Sequence, residues 1–372
     1  MCRQVVRVLA TPPPELAGIA AVTLDLHEGD DPVDIRLALA SLAERRVRAT
    51  VFVPTAMLEE SRYRAAVREI ASNGHEPASH SHRHDFNEIQ ALISGRPDDL
   101  AFLAQSQVMH EDFFGASPTA FRSPCWCHLG RAAIDALTEL GYVADSSATP
   151  QRLGVFSSTP FENVWTFSLR RLYYLSPTLL EVPTSTLLVP GGSPSFTILR
   201  RQASRILVAT LASEVRMFPA RVLALQFHAN AFNPASTRYH RSRKPLTLRS
   251  FLPSRFGGFE FKHHLRSDDS AALAALTGSI LNSLERFACL TMTQIVTGSW
   301  RSAPSLQGTV PAPSARGTWS DHRWAPRSSA RRSFRTRDAR RSDSRSSMSL
   351  SLERITRNVY RSSAASRSIC RS

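Results

Sequence analysis

From about Ile19 to Ile295 the chain alternates short β-rich runs with helical stretches, and this alternation constrains its fold more than any other feature. The expected strands are IAAVTLDL (19–26), VRATVFV (47–53), TAFRS (119–123), YVADS (142–146), LLEVPTS (179–185), VLALQFH (222–228) and ACLTM (288–292). Helical patterns fall between them, at 34–46, 62–72, 98–114 and 131–140; in the last, Ala133, Leu137 and Leu140 recur at helical spacing. Near-continuous apolar strands that alternate with helices imply a parallel sheet buried on both faces. The expectation is an α/β domain over residues 19–296, behind an N-terminal extension of residues 1–18. Periodicity alone leaves an open sheet and a closed barrel as alternatives. Residues 146–220 read as less regular, with an insertion, and 230–270 as basic and loop-like before a helix at about 270–287.

Charge divides the chain. Residues 297–372 hold 16 Arg, no Lys, three Asp and one Glu, so this segment alone carries +12 of the +15. Rich in Ser, Arg and Pro, it has almost no aliphatic periodicity and is expected to be a disordered tail. It reads as non-selected sequence ahead of an RNA-binding arm, and no specific nucleic-acid partner is expected. No apolar run approaches the roughly 18 residues of a membrane span. The N-terminus shows no secretory signal, which suggests a cytoplasmic or envelope-associated protein. Cys2, Cys125, Cys127, Cys289 and Cys370 are scattered and odd in number, and read as reduced thiols.

The chemistry gathers at strand ends. The stretch NGHEPASHSHRHDF (73–86) carries His75, His80, His82 and His84. His80 and His84 stand four apart, so on one helical turn both rings would point the same way and could share a Zn²⁺. Upstream, VTLDLHEG places Asp25, His27 and Glu28 where the first strand ends. Downstream come Arg122 in FRSPCW, Asp145 in GYVADSS and His228 in LALQFH. Such positions are where α/β folds build their sites.

The order TLDLHEG, ATVFVP, NGHEPASHSHRHDF, FRSPCW, GYVADSS, LQFHAN resembles the polysaccharide deacetylases, carbohydrate esterase family 4, over residues 20 to 295. The resemblance implies a distorted (β/α)₇ barrel of the glycoside hydrolase/deacetylase type. It also implies a divalent metal, most often Zn²⁺, and hydrolysis of N-acetyl groups on an amino sugar or polysaccharide. By position it implies that Asp25 is the catalytic base and that His80 and His84 bind metal. Arg122 would orient the base, His228 would be the general acid, and Asp145 would hold that acid's other ring nitrogen.

One departure matters. The family's first motif has two adjacent aspartates, the second a ligand, and Leu26 takes that second place here. Strand alternation puts Asp25 and His27 on one face and Leu26 on the other, so His27 is expected as third ligand, with Glu28 its substitute. A backbone N–H at Cys125 or Trp126 would face the oxyanion, and Trp126 would offer a platform for a sugar ring. His75 and His82 are expected outside the ligand set. Two other functions remain open: the same fold acting on a different amide, such as a cyclic amide or imide, and a glycan-binding pseudoenzyme. Sequence does not address oligomeric state.

Overall fold

The computed structural model describes residues 18–152, 168–218, 220–237, 246–252 and 261–298. The expected tail and most of the N-terminal extension lie outside the described residues.

Strands and helices alternate as the pattern implied. In chain order they are β1 (Ile19–Asp25), α1 (Pro32–Glu44), β2 (Ala49–Val53), α2 (Ser61–Ser72), β3 (Glu76–Ser79), α3 (Phe86–Ser94), α4 (Ala101–Phe114), β4 (Ala120–Phe121), α5 (Arg131–Glu139) and β5 (Ala144–Asp145). They continue with β6 (Tyr173–Tyr174), β7 (Leu180–Glu181), β8 (Thr186–Leu187), β9 (Val189–Pro190), α6 (Ser193–Met217), β10 (Leu223–His228), α7 (Lys262–Leu265), α8 (Ser270–Ser283), β11 (Ala288–Cys289) and α9 (Met292–Thr297). Local chemistry sets several starts. Asp31 caps α1, accepting from the Val33 N–H, with Pro32 at the first helical position.

Seven strands run parallel in the order β10-β1-β2-β3-β4-β5-β7, with β6 antiparallel beside β7. β11 pairs with the start of β1. The sheet curls until its two sides meet. Beyond β7 the chain returns beside β10, where the Ser185 N–H donates to Ala224 O at 2.9 Å and the Gln226 N–H donates to Gly191 O at 3.0 Å. The result is a distorted barrel built on seven parallel strands, the architecture that the resemblance implied. Gly192 is required at the closure, since a Cβ there would lie 2.3 Å from Gln226 O.

Side-chain alternation sorts two environments. Val22, Leu24 and Leu26 of the first run, with Leu223, Leu225 and Phe227 of β10, join the outer core against the helices. Ile19 and Ala21, with Val222 and Ala224, join an apolar cluster that also takes in Phe52, Ala78, Ala120 and Ala144 of other strands. On that second face each series turns polar toward its C-terminal end: Thr23 then Asp25 on β1, Gln226 then His228 on β10. The barrel is therefore apolar at one end and chemically equipped at the other.

One expectation needs correction, and one strand was absent from the sequence reading. Residues 193–217, within the stretch read as irregular, form the 25-residue helix α6, interrupted at Arg200 (φ 59°). Its Ser-Pro-Ser start and scattered arginines hid the apolar stripe of Leu207, Val208, Leu211 and Val215. Glu76–Ser79 is a strand, although EPAS has little β propensity; pairing with β2 and β4 imposes it. Among the described residues, no helix is long and apolar enough to cross a membrane.

Candidate metal and catalytic centre

A pocket of about 160 Å³ opens at the C-terminal ends of the strands, lined by Asp25, His27, His80, His84, Cys125, Trp126 and His228, together with Ser123, Arg152 and Arg266. The structure thus brings together, from separate loops and strands, all but two of the residues expected at the site.

Arg122 sits behind the pocket. Its Nη1 donates to Asp25 Oδ1 at 2.6 Å and to Thr23 Oγ1 at 2.8 Å. Its Nε and Nη2 donate to Ser146 O and Ser146 Oγ, and its guanidinium lies 4.3 Å from the Phe52 ring centroid. The second oxygen of Asp25 accepts from Gln226 Nε2 at 3.0 Å. Burial acts to raise the Asp25 pKa, but the Arg122 charge, then His80 and His228, outweigh it and hold the carboxyl below its ordinary value. Asp25 is a buried carboxylate fixed on both oxygens.

Four imidazoles face one another in front of it. Ring centroids are 4.7 Å apart for His80 and His84, 4.8 Å for His27 and His84, 5.8 Å for His27 and His80, and 4.9 Å for His27 and His228. The donor atoms of His27, His80 and His84 all lie within 4.8 Å of one another. His80 Nδ1 is 2.9 Å from Arg122 O; a carbonyl only accepts, so Nδ1 carries the proton and Nε2 keeps its lone pair. Burial lowers the pKa of His80, that of His84 to about 3 and that of His228 to about 4, so all three are neutral at pH 7. Neutral imidazoles gathered at such separations fit the donor set of a divalent cation.

The reason His80 and His84 converge differs from the expected one. Residues 80–84 are not a helical turn: they form the loop after β3, with Ser81 at φ 70° and His84 at φ 56°. These left-handed residues, rather than helical spacing, fold the second imidazole back over the first. Leu26 lies in the outer core, fully buried, while Asp25 and His27 reach the pocket. Glu28 is exposed and lines no part of it.

Asp145 is the second correction. Parallel pairing in register sets it beside Glu181 of β7; it does not line the pocket, and its side-chain bond goes to Ser147 rather than to His228. Its Oδ1 accepts from Ser147 Oγ at 2.6 Å, and Glu181 Oε1 accepts from the Ala148 N–H. Burial, then mutual proximity, raises the Glu181 pKa well above the carboxylate range; burial raises that of Asp145 too. Burial thus favours the neutral form of both neighbouring carboxyls, most strongly that of Glu181. The Trp126 N–H, one of the two amides expected to face an oxyanion, donates instead to Ser123 O at 3.1 Å. Cys125 and Trp126 both adopt φ 55°, a strained turn in the pocket wall.

The other two histidines of the stretch, His75 and His82, are buried rather than solvated. His75 Nδ1 accepts from the Ala49 N–H, and His82 Nδ1 bonds Thr55 Oγ1 at 3.0 Å. Cys125, Cys127 and Cys289 are reduced, with no disulfide among the described residues. Sequence reading missed Gln226, although two-residue spacing places it on the His228 face of β10. It also missed Glu88, despite the helix-start pattern Asp85-x-x-Glu88.

Residues 20–144 match the family model for polysaccharide deacetylase. The match ends before Asp145 and His228. No curated protein matches the chain. Similar solved structures include a candidate polysaccharide deacetylase from Mycobacterium smegmatis (17% identity, 83% of this chain and 99% of that one, TM-score 0.49). Another is the chitin deacetylase of the fungal pathogen Colletotrichum lindemuthianum (14%, 79% and 93%, TM-score 0.42). A mutant of BA3943, a CE4 family pseudoenzyme, is similar at 11% identity over 77% of this chain and 71% of that one, TM-score 0.42.

Proposed function

We propose that this chain, whose residues 20–144 belong with the polysaccharide deacetylases, is a divalent-metal-dependent hydrolase that removes N-acetyl groups from an amino sugar or polysaccharide. The reading is carried by one juxtaposition: three imidazole donors and the Arg122-held carboxylate of Asp25 in a single pocket.

His27, His80 and His84 would hold the ion, and Zn²⁺ suits three nitrogen donors. When bound, the ion supplies a Lewis acid for the amide carbonyl and makes a nearby water more acidic. Asp25, kept ionised by Arg122, accepts the proton of the attacking water. His228 is in register with Asp25 on the adjacent strand. It is neutral at pH 7, so it must take up a proton before delivering one to the leaving nitrogen. The proton lost by the attacking water balances the one delivered to the leaving nitrogen, so the acid and base roles run in sequence. Trp126 offers its face to a pyranose, with the Arg152 guanidinium 5.1 Å from the ring centroid.

The test is acetate release from N-acetylated chitopentaose alongside zinc analysis of the same preparation. The expected result is about one bound Zn²⁺ per chain, with release lost on chelation and restored by Zn²⁺. Bound metal with opening of a cyclic ureide, and no acetate, would move the substrate to cyclic amides. Substoichiometric zinc, unchanged on adding metal, would make the chain a glycan-binding pseudoenzyme.

A further inference from the structure

The loop that carries the second and third imidazoles' meeting point is held by a residue outside the pocket. Glu88, on the first turn of α3, is 6% exposed, and its carboxylate is turned backward toward residues 81–84. Oε2 accepts from Ser81 Oγ at 2.6 Å and from the His84 N–H at 3.0 Å, while Oε1 accepts from the Arg83 N–H at 2.8 Å. Its own N–H donates to Asp85 Oδ1 at 3.0 Å, which caps the helix.

An ordinary capping box returns the carboxylate to the N–H of the capping residue itself. Here it passes Asp85 and reaches the two amides before it, together with the Ser81 hydroxyl. The two residues of this loop with positive φ, Ser81 and His84, are thus both bonded to one side chain. L residues rarely adopt that conformation unless neighbours over-determine it. The His80 ring has a separate anchor in Arg122 O. Glu88 therefore governs His84, and the helix cap and the metal loop are one device.

We propose that Glu88 is a positioning residue for the metal site, holding the Ser81–His84 loop in the left-handed conformation that aims His84 at His27 and His80. This rests on the metal-site reading above. An outer group that fixes a ligand typically accounts for 10–100-fold in metal affinity.

The experiment is calorimetric titration of Zn²⁺ into apoprotein, with thermal melts of the same samples. Glu88→Ala is expected to bind Zn²⁺ about 10–100-fold more weakly than wild type. Glu88→Gln keeps the volume but turns an amide N–H₂ toward donors, so it should also weaken binding, and it decides the matter if the alanine variant fails to fold. Asp85→Ala removes the cap and leaves the three loop bonds; it should lower the melting temperature while keeping affinity close to wild type. Folded Glu88 variants with wild-type affinity overturn the proposal, as does an Asp85→Ala loss equal to that of Glu88→Ala, which would reduce Glu88 to helix capping. Wild-type apoprotein that binds no Zn²⁺ overturns both this proposal and the metal-site reading, whereas normal wild-type binding with unaffected Glu88 variants overturns this proposal alone.

Discussion

Arg122 and Asp25, 97 residues apart in sequence, meet at 2.6 Å with their side chains only 1% and 6% exposed. Removing either partner therefore has different consequences. Arg122→Met leaves a buried carboxylate without its counter-charge, and a thermal or urea melt should show a loss of about 3–5 kcal/mol. Asp25→Asn keeps the shape and can still accept from Arg122. It should fold and bind Zn²⁺, yet lose about 10²–10⁴-fold in acetate release. Undiminished turnover by Asp25→Asn would remove it as the base.

Gln226 donates to the other oxygen of Asp25 and is completely buried. A hydrogen bond to an ionised group is worth about 1.5–3 kcal/mol. Gln226→Leu is expected to lower kcat at least about tenfold by letting the carboxylate rotate, at nearly constant KM and zinc content. A rise in KM with kcat intact would show that Gln226 serves substrate binding instead.

The identity of the third ligand is open to a direct comparison. His80→Ala and His27→Ala should each abolish stoichiometric zinc, and His27→Asp should restore it by returning a carboxylate donor. Zinc retained by His27→Ala but lost from His80→Ala would leave the site in place and withdraw His27 from it.

The Asp145–Glu181 pair predicts a pH dependence. Both groups have pKa values raised by burial, Glu181 most, so the folded state binds protons that the unfolded chain gives up. For groups raised in this way, the stability is fully present below the unfolded carboxylate pKa of about 4 and is lost as pH climbs toward the folded value. Melting temperature should fall as pH rises through the neutral range, and Glu181→Gln, which cannot ionise, should flatten that fall. An equal slope in the variant would place the titration elsewhere.

The sequence by itself determined the alternation of elements, the α/β class and the set of polar groups at strand ends, because these depend on short-range periodicity and on where apolar runs stop. It also told Leu26 from Asp25 and His27, since alternation along a strand is a local rule. Local rules failed where partners are distant. β3 exists because two neighbouring strands impose it, and α6 because its stripe has a sheet to cover. The His80–His84 loop bends through left-handed residues that spacing cannot reveal, secured by a glutamate from the following helix. Asp145 shares the motif of a pocket residue, yet parallel register turns it to Glu181. Which side chains can reach one another is decided when the barrel closes, because register and curl bring together groups that no stretch of sequence holds side by side.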